Sequence, residues 1–365
     1  EDTMPTLGSD NGLTLADLTG KAYDDPMWDQ LLDQMSFEDM SLLVNLGGWQ
    51  TAQIDSVGKV ATSDCDGPAG VNNFITGTYG TPYPTEVLMA QTWNTDLLYD
   101  LGLAMGQEYA DVNNYGVYGP AMNTHRSAFA GRNFEYYSED GVLAGKLAAA
   151  QVNAMATKGT YNYIKHFALN DQETNRCAFL LTYSNEQAIR EIYLKPFELC
   201  IKNFDGTQIA VMSSFNWIGT VPACANEDTL TTILRNEWGF QGMVITDYDG
   251  SYGYMITDHC VRTGNDLMLG FSSQASNQLT NTESATLNNA LRTSCKNIMY
   301  TIANSGYYTN TTDDGGMSNM TKLFVTIDVV TVLLVVLCMA LVIVRYRKKH
   351  AKAAAEVTPE EKKEE

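Results

Sequence analysis

The sequence predicts an α/β fold: a (β/α)8 TIM-like barrel followed by a single transmembrane helix. Three observations predict it. Short apolar runs alternate with amphipathic helical segments across residues 26–305, the pattern of a parallel sheet wrapped by helices. Polar residues cluster directly after those apolar runs, where strand ends converge on one face of a barrel. A stretch of 22 apolar positions with one acid, LFVTIDVVTVLLVVLCMALVIV at 323–344, is followed by Arg345, Arg347, Lys348 and Lys349.

The elements follow in order. PMWDQLLDQMSFEDMSLLVNLG (26–47) reads as helix, broken at a polar step around Ser36–Glu38 that starts a second helix. KVATSD (59–64) is a short strand ending in acids, and the segment at 85–112 is helical with Asn94 or Thr95 as an internal cap. NYGVYGPAMN (114–123) is strand and loop, and VLAGKLAAAQVNAMATKG is a helix ended by Gly159. YNYIKHFALN, QIAVMSSFN and GMVITDYDG are strands; the helices between and after them are NEQAIREIYLKPFELCIKN, LTTILRNEWGF and SATLNNALRTSCKNIMYTIANSG.

The flanks carry their own expectations. Residues 1–25 read as a linker from a missing upstream domain, because EDTMPTLGSDNGLTLADL is polar and acidic with no secretory pattern. Residues 306–322 read as a flexible tether. At 1.5 Å per residue a helix over 323–344 spans roughly 33 Å, a bilayer core. The basic cluster after it marks the cytoplasmic side, which puts the globular part outside the cell and the charged tail, 345–365, inside.

Charge and cysteine usage exclude other classes. The formal net charge is −20, from 43 acids against 23 bases, and such a surface repels nucleic acid. The seven cysteines form no CxxC pair and no Cys/His cluster. They read as buried thiols, with no metal or cofactor.

The stretch GFQGMVITDYDG (239–250) ends an apolar run in two acids, Asp247 and Asp249. Asp247 is the candidate nucleophile and Asp249 the turn former before Gly250. Two chemistries fit at this point: a glycosidase carboxylate, or the Asp-x-Asp of a phosphoryl-transfer enzyme. KHFALNDQETNR (165–176) supplies Lys165 and His166 as donors to hydroxyl groups, with Glu173 and Arg176 as an ion pair behind them. SDCDGPAG (63–70) sets Asp66 before a tight loop, where a carboxylate can accept two sugar hydroxyls. AGRNFEYYSED (130–140) offers Arg132 with Glu135 and Glu139, a forked donor for a ligand or a carboxylate. Tyr248, Phe215 and Trp217 could stack on a sugar ring.

Together, SDCDGPAGV, YGPAMNTHRSAFAGRNFEYYSEDGVLAGKLAAA, IKHFALNDQETNR, IREIYLKPFE, VMSSFN, LRNEWGFQGMVITDY and TGNDLMLG resemble glycoside hydrolase family 3, the β-glucosidase and β-xylosidase group. They run in the family's order across about residues 25–305. The resemblance implies a retaining, exo-acting β-glycosidase barrel with Asp247 as nucleophile and Asp66, Arg132, Lys165, His166 and Tyr248 around the sugar. The implied substrate is an oligosaccharide or an aryl or alkyl β-glycoside. It also implies an acid/base Glu in a separate α/β sandwich domain, expected here upstream of residue 1. Phe215 stands where the family usually has Tyr. KHFALNDQE disfavours the acetylglucosaminidase branch, which carries KHFPGHG-like residues. The phosphatase reading falls because its Asp-x-Asp opens the domain, whereas Asp247 comes near the end of this one. The alternative is a membrane-tethered sugar-binding protein derived from such an enzyme.

Overall fold

The computed structural model describes residues 2–250, 252–271, 277–310 and 319–356. The chain forms two compact units, Glu1–Thr311 and Thr312–Glu365. Expectations for 311–318, within the tether, and for 357–365, within the tail, lie outside the described residues.

In the first unit, parallel strands build a ring wall: β2 (Thr62–Asp66), β3 (Gly116–Tyr118), β4 (Tyr161–Phe167), β5 (Ile209–Ser213) and β6 (Val244–Ile245), each paired in parallel with the next. Beyond β6 the wall continues as a single parallel bridge, Ile245 to Leu267. A short strand β1 (Gln50–Thr51) lies antiparallel to β2. The fold is therefore TIM-like, but the eight regular parallel strands expected are not what the described residues show. The segment at 47–49 closes the gap instead: Gly48 N–H donates to Gly270 O at 2.9 Å, and Asp64 N–H donates to Trp49 O at 2.9 Å. Glycine is required there, because a Cβ at Gly48 would stand 2.9 Å from the Gly270 carbonyl oxygen.

Side chains alternate across the wall as the period of a strand dictates. Tyr118, Tyr161, Tyr163, Ala210, Met212, Met243 and Ile245 fill the inside. Ile164, Ile209, Val211 and Val244 face outward, under the helices. Both faces are buried, which is why these strands read as unbroken apolar runs.

The covering helices have readable ends. α1 (Phe37–Asn45) opens on a capping box, with Asp39 N–H donating to Ser36 Oγ and Ser36 N–H to Asp39 Oδ2; the acid is Asp39, not Glu38, because only the third helical position reaches back to the cap. Asn94 caps α2 (Thr95–Asp111) and Asp140 caps α3 (Gly141–Ala156). α4 (Lys195–Lys202), the wide-turned α5 (Asp228–Glu237), α6 (Thr257–Thr263) and α7 (Ala285–Ala303) complete the shell.

The expected boundaries move. Residues before 26 are not a free linker: Leu15 and Leu18 are fully buried, Ser9 N–H donates to Asp33 O at 2.8 Å, and Asn289 Nδ2 donates to Thr3 O at 3.0 Å on α7. The other end also packs, with Ser63 N–H donating to Tyr307 Oη at 2.7 Å. In the second unit one helix, α8 (Asn319–Glu356), is long and apolar enough over Leu323–Lys352 to cross a membrane. Among the described cysteines all are free thiols, and Cys65, Cys200, Cys224, Cys260 and Cys295 are buried as expected.

Candidate active site at the strand ends

Asp247 follows β6 and is almost enclosed, 8% exposed. Its Oδ1 accepts the Tyr248 N–H at 2.7 Å, while the buried Oδ2 receives no hydrogen bond among the described residues. Burial raises the pKa of this carboxyl, and the positive charges of Arg132, Arg176 and Lys165 pull it back toward the ionised form. A carboxyl oxygen without a donor among the described residues, with positive charges nearby that favour its ionised form, has the chemistry a nucleophile needs.

His166 Nε2 lies 3.8 Å from Asp247 Oδ2, too far for a hydrogen bond. The histidine is neutral: burial lowers its pKa far below the ordinary value, and Arg132, Lys165 and Arg176 lower it further. Its tautomer follows from the network behind it. Asn170 Nδ2 donates to Glu173 Oε1 at 3.1 Å and to Tyr136 Oη at 2.9 Å; the carboxylate can only accept, which fixes the amide. Tyr136 then turns its own proton to His166 Nδ1 at 3.1 Å. Nε2 carries the ring hydrogen, on the side of Asp247. Asn123 pins the backbone here, accepting His166 N–H at 2.7 Å and donating to His166 O at 2.9 Å.

Asp66, at the end of β2, accepts the Trp49 indole N–H at 3.0 Å. Gly67 follows with φ +148°, a backbone position open only to glycine, and its carbonyl oxygen accepts the Tyr109 O–H at 2.9 Å. Arg132 is locked to Glu135 and stands 3.9 Å from Glu173, which in turn pairs with Arg176 at 3.0 Å; of the two acids near it in sequence the carboxylate it locks to is Glu135, and Glu139 is exposed. Lys165 is buried and its ammonium makes no hydrogen bond among the described residues. Asp66, Arg132, Glu135 and Lys165 border one cavity of about 570 Å³.

The remaining candidates separate into site and scaffold. Tyr248 is half-buried and leans on Trp49, ring centroids 5.7 Å apart. Phe215 is core, with the Arg176 guanidinium 4.5 Å above its ring, and Trp217 packs on Phe179 and Tyr254. Asp249 is buried, accepts from Asn277 and donates its N–H to Leu269 O at 2.8 Å, holding the turn. Asp64 does not reach the site: it sits deeper in the ring, accepting from Tyr161 and Tyr163. His125 is likewise spent on the Tyr136 carbonyl, at 2.8 Å. Sequence reasoning missed Trp49, Tyr136, Asn170 and Glu86, the last a fully buried acid in the cavity wall.

Of the residues expected around a ligand, Asp66, Arg132 and Lys165 border this cavity, whereas Asp247, His166 and Tyr248 are not among the residues that line it. Residues 51–276 match the family described as "Glycosyl hydrolase family 3 N terminal domain", and the chain belongs to that family. It is 39% identical over 250 residues to β-glucosidase A of Butyrivibrio fibrisolvens, covering 66% of this chain and 29% of that protein. A β-glucosidase of Rhizobium radiobacter is 35% identical over 245 residues, covering 66% and 29%. Among solved structures, β-glucosidase 3B from Thermotoga neapolitana in complex with α-D-glucose aligns with a TM-score of 0.69 at 31% identity, covering 81% of this chain and 45% of that one. A β-glucosidase from Paenibacillus barengoltzii aligns with a TM-score of 0.71 at 30% identity, covering 83% and 36%. The chain thus spans under a third of these curated relatives and under half of these solved chains.

Proposed function

We propose that this chain is the nucleophile-bearing barrel of a retaining, exo-acting β-glucosidase or β-xylosidase, tethered to a membrane by α8. The observation that carries the reading is Asp247: a buried strand-end carboxyl group whose Oδ2 accepts no hydrogen bond among the described residues, set among the charges of Arg132, Lys165 and Arg176. In the proposed first step Asp247 Oδ2 attacks the anomeric carbon as the glycosidic C–O bond breaks, and the leaving oxygen takes a proton from an acid/base group. Water then attacks the glycosyl–enzyme ester, giving up a proton to the same group and releasing Asp247. That acid/base is expected on a sandwich domain, outside this chain. Asp66 and Lys165 hold the sugar's outer hydroxyls, Arg132 adds a forked donor, and Nε2–H of His166 donates to the hydroxyl nearest the nucleophile. The family match and the β-glucosidase relatives support this reading, and the length and apolarity of α8 support the tether.

The test uses 2,4-dinitrophenyl β-D-glucoside, whose leaving group departs without acid help, and follows the product by NMR. Retention gives the β-anomer of glucose first. An α-anomer formed first would refute the double displacement, and glucose binding without turnover would favour the tethered sugar-binding protein.

A further inference from the structure

Glu86 opens a short helix, Glu86–Ala90, and points inward. It is 0% exposed, and neither carboxyl oxygen makes a hydrogen bond of good geometry among the described residues, its nearest donors being its own backbone N–H and that of Ala121. Yet it borders the cavity that Asp66, Arg132 and Lys165 also border. A poorly matched buried carboxyl is costly, more so when charged, so an acid here asks for a better partner. The candidate is Lys165, whose ammonium is also without an acceptor among the described residues and whose charge acts on Glu86.

We propose that Glu86 is a positioning residue for Lys165: when a sugar fills the cavity, the carboxyl group accepts one ammonium N–H from behind, leaving the other two aimed at sugar hydroxyls. This inference rests on the glycon-cavity reading above. The groups facing Glu86 are Lys165 from β4, Glu135 from the turn after Arg132, and Tyr137, a neutral phenol that donates to Gln151 Oε1 at 2.6 Å. Burial, with Glu135 adding to it, pushes Glu86 up to about 8 against the pull of Lys165. At neutral pH it is therefore the uncharged acid, and its carbonyl oxygen can accept without seizing the ammonium. Above about 8 the carboxylate binds the ammonium as an ion pair and draws it off the sugar.

The experiment is calorimetric titration of the detergent-solubilised full chain with D-glucose, and with D-xylose if glucose is silent, at pH 7 and pH 9. The wild type is expected to lose about tenfold in affinity between the two, equivalent to about 1.4 kcal/mol. Glu86→Gln, the same size and always neutral, keeps the pH 7 affinity within about threefold and loses the alkaline drop. Glu86→Leu binds about tenfold more weakly at pH 7, and that deficit vanishes in a Lys165→Met background, as a shared pathway requires. Wild-type affinity in Glu86→Leu, an alkaline drop that persists in Glu86→Gln, or a deficit that survives in the Lys165→Met background would each overturn the role. If the wild type binds neither sugar at pH 7, the cavity reading itself falls and this role with it.

Discussion

Replacing Arg235 by Met should loosen the strand that delivers Asp247. Arg235 is on α5, and its Nη2 meets Asp266 Oδ2 at 2.6 Å. The same guanidinium caps two carbonyls, Gly242 at 3.1 Å and Gly264 at 3.0 Å. Asp266, 1% exposed, uses Oδ2 to accept the Val244 N–H at 2.8 Å at the start of β6, and Oδ1 to accept Asn297 Nδ2 at 2.9 Å from α7. Arg235→Met strands this carboxylate and two carbonyls. Removing one member of a buried pair costs about 3–5 kcal/mol; the two hydrogen bonds Asp266 retains favour the lower part of that range. Adding Asp266→Asn relieves the stranded charge, so the double variant should be less unstable than the sum of the singles. Urea unfolding followed by tryptophan fluorescence in detergent measures all three. A loss below about 1 kcal/mol for Arg235→Met, the level of an exposed pair, would refute the claim that this ion pair braces β6.

Further outcomes follow from named contacts. Asp247→Asn should lower kcat by about four orders of magnitude or more while glucose still binds, as loss of a nucleophile does; steady-state kinetics with the dinitrophenyl glucoside check this. Asp64 is held up to about 6 by burial, above its ordinary 3.8. Its folded form binds a proton the unfolded chain releases, so the stability it contributes is full below about 3.8 and is lost as pH rises to about 6. Asp64→Asn should therefore flatten the stability profile across that window, removing a fall of about 3 kcal/mol, seen in urea midpoints at stepped pH. Gly67→Ala should destabilise by at least about 1 kcal/mol and weaken glucose binding, because φ +148° strains any L side chain beside Asp66. Deleting residues 323–344 should move the protein from the membrane pellet to the soluble fraction on centrifugation; retention in the pellet would count against the tether.

The sequence carried the strands of the wall because both their faces are buried, so they read as apolar runs between glycine-marked turns. It carried Asp66, Lys165, His166 and Asp247 because each stands where such a run ends. Depth was not legible: Asp64 and Asp66 share one face of β2, two residues apart, and only the ring shows that Asp64 lies a layer lower with Tyr161 and Tyr163. Closure was hidden too, since Gly47–Trp49 joins the wall through backbone approach to Met268–Gly270 rather than through a strand-like pattern. The first residues misled because polar side chains outnumber the two anchors, Leu15 and Leu18, that fix them to the core. Glu86 passed unnoticed because an acid in a first helical turn ordinarily complements the helix dipole at the surface.

The most direct measurement is intact mass and peptide mapping after incubating the protein with 2,4-dinitrophenyl 2-deoxy-2-fluoro-β-D-glucoside. The fluorine slows both steps and the leaving group needs no acid, so the glycosyl–enzyme should accumulate without help from an acid/base group. A single added fluoroglucosyl mass on the peptide containing Asp247, absent from Asp247→Asn, is the predicted result. An adduct on another carboxylate, or none with either the glucosyl or the xylosyl reagent on a chain that binds the parent sugar, would contradict it.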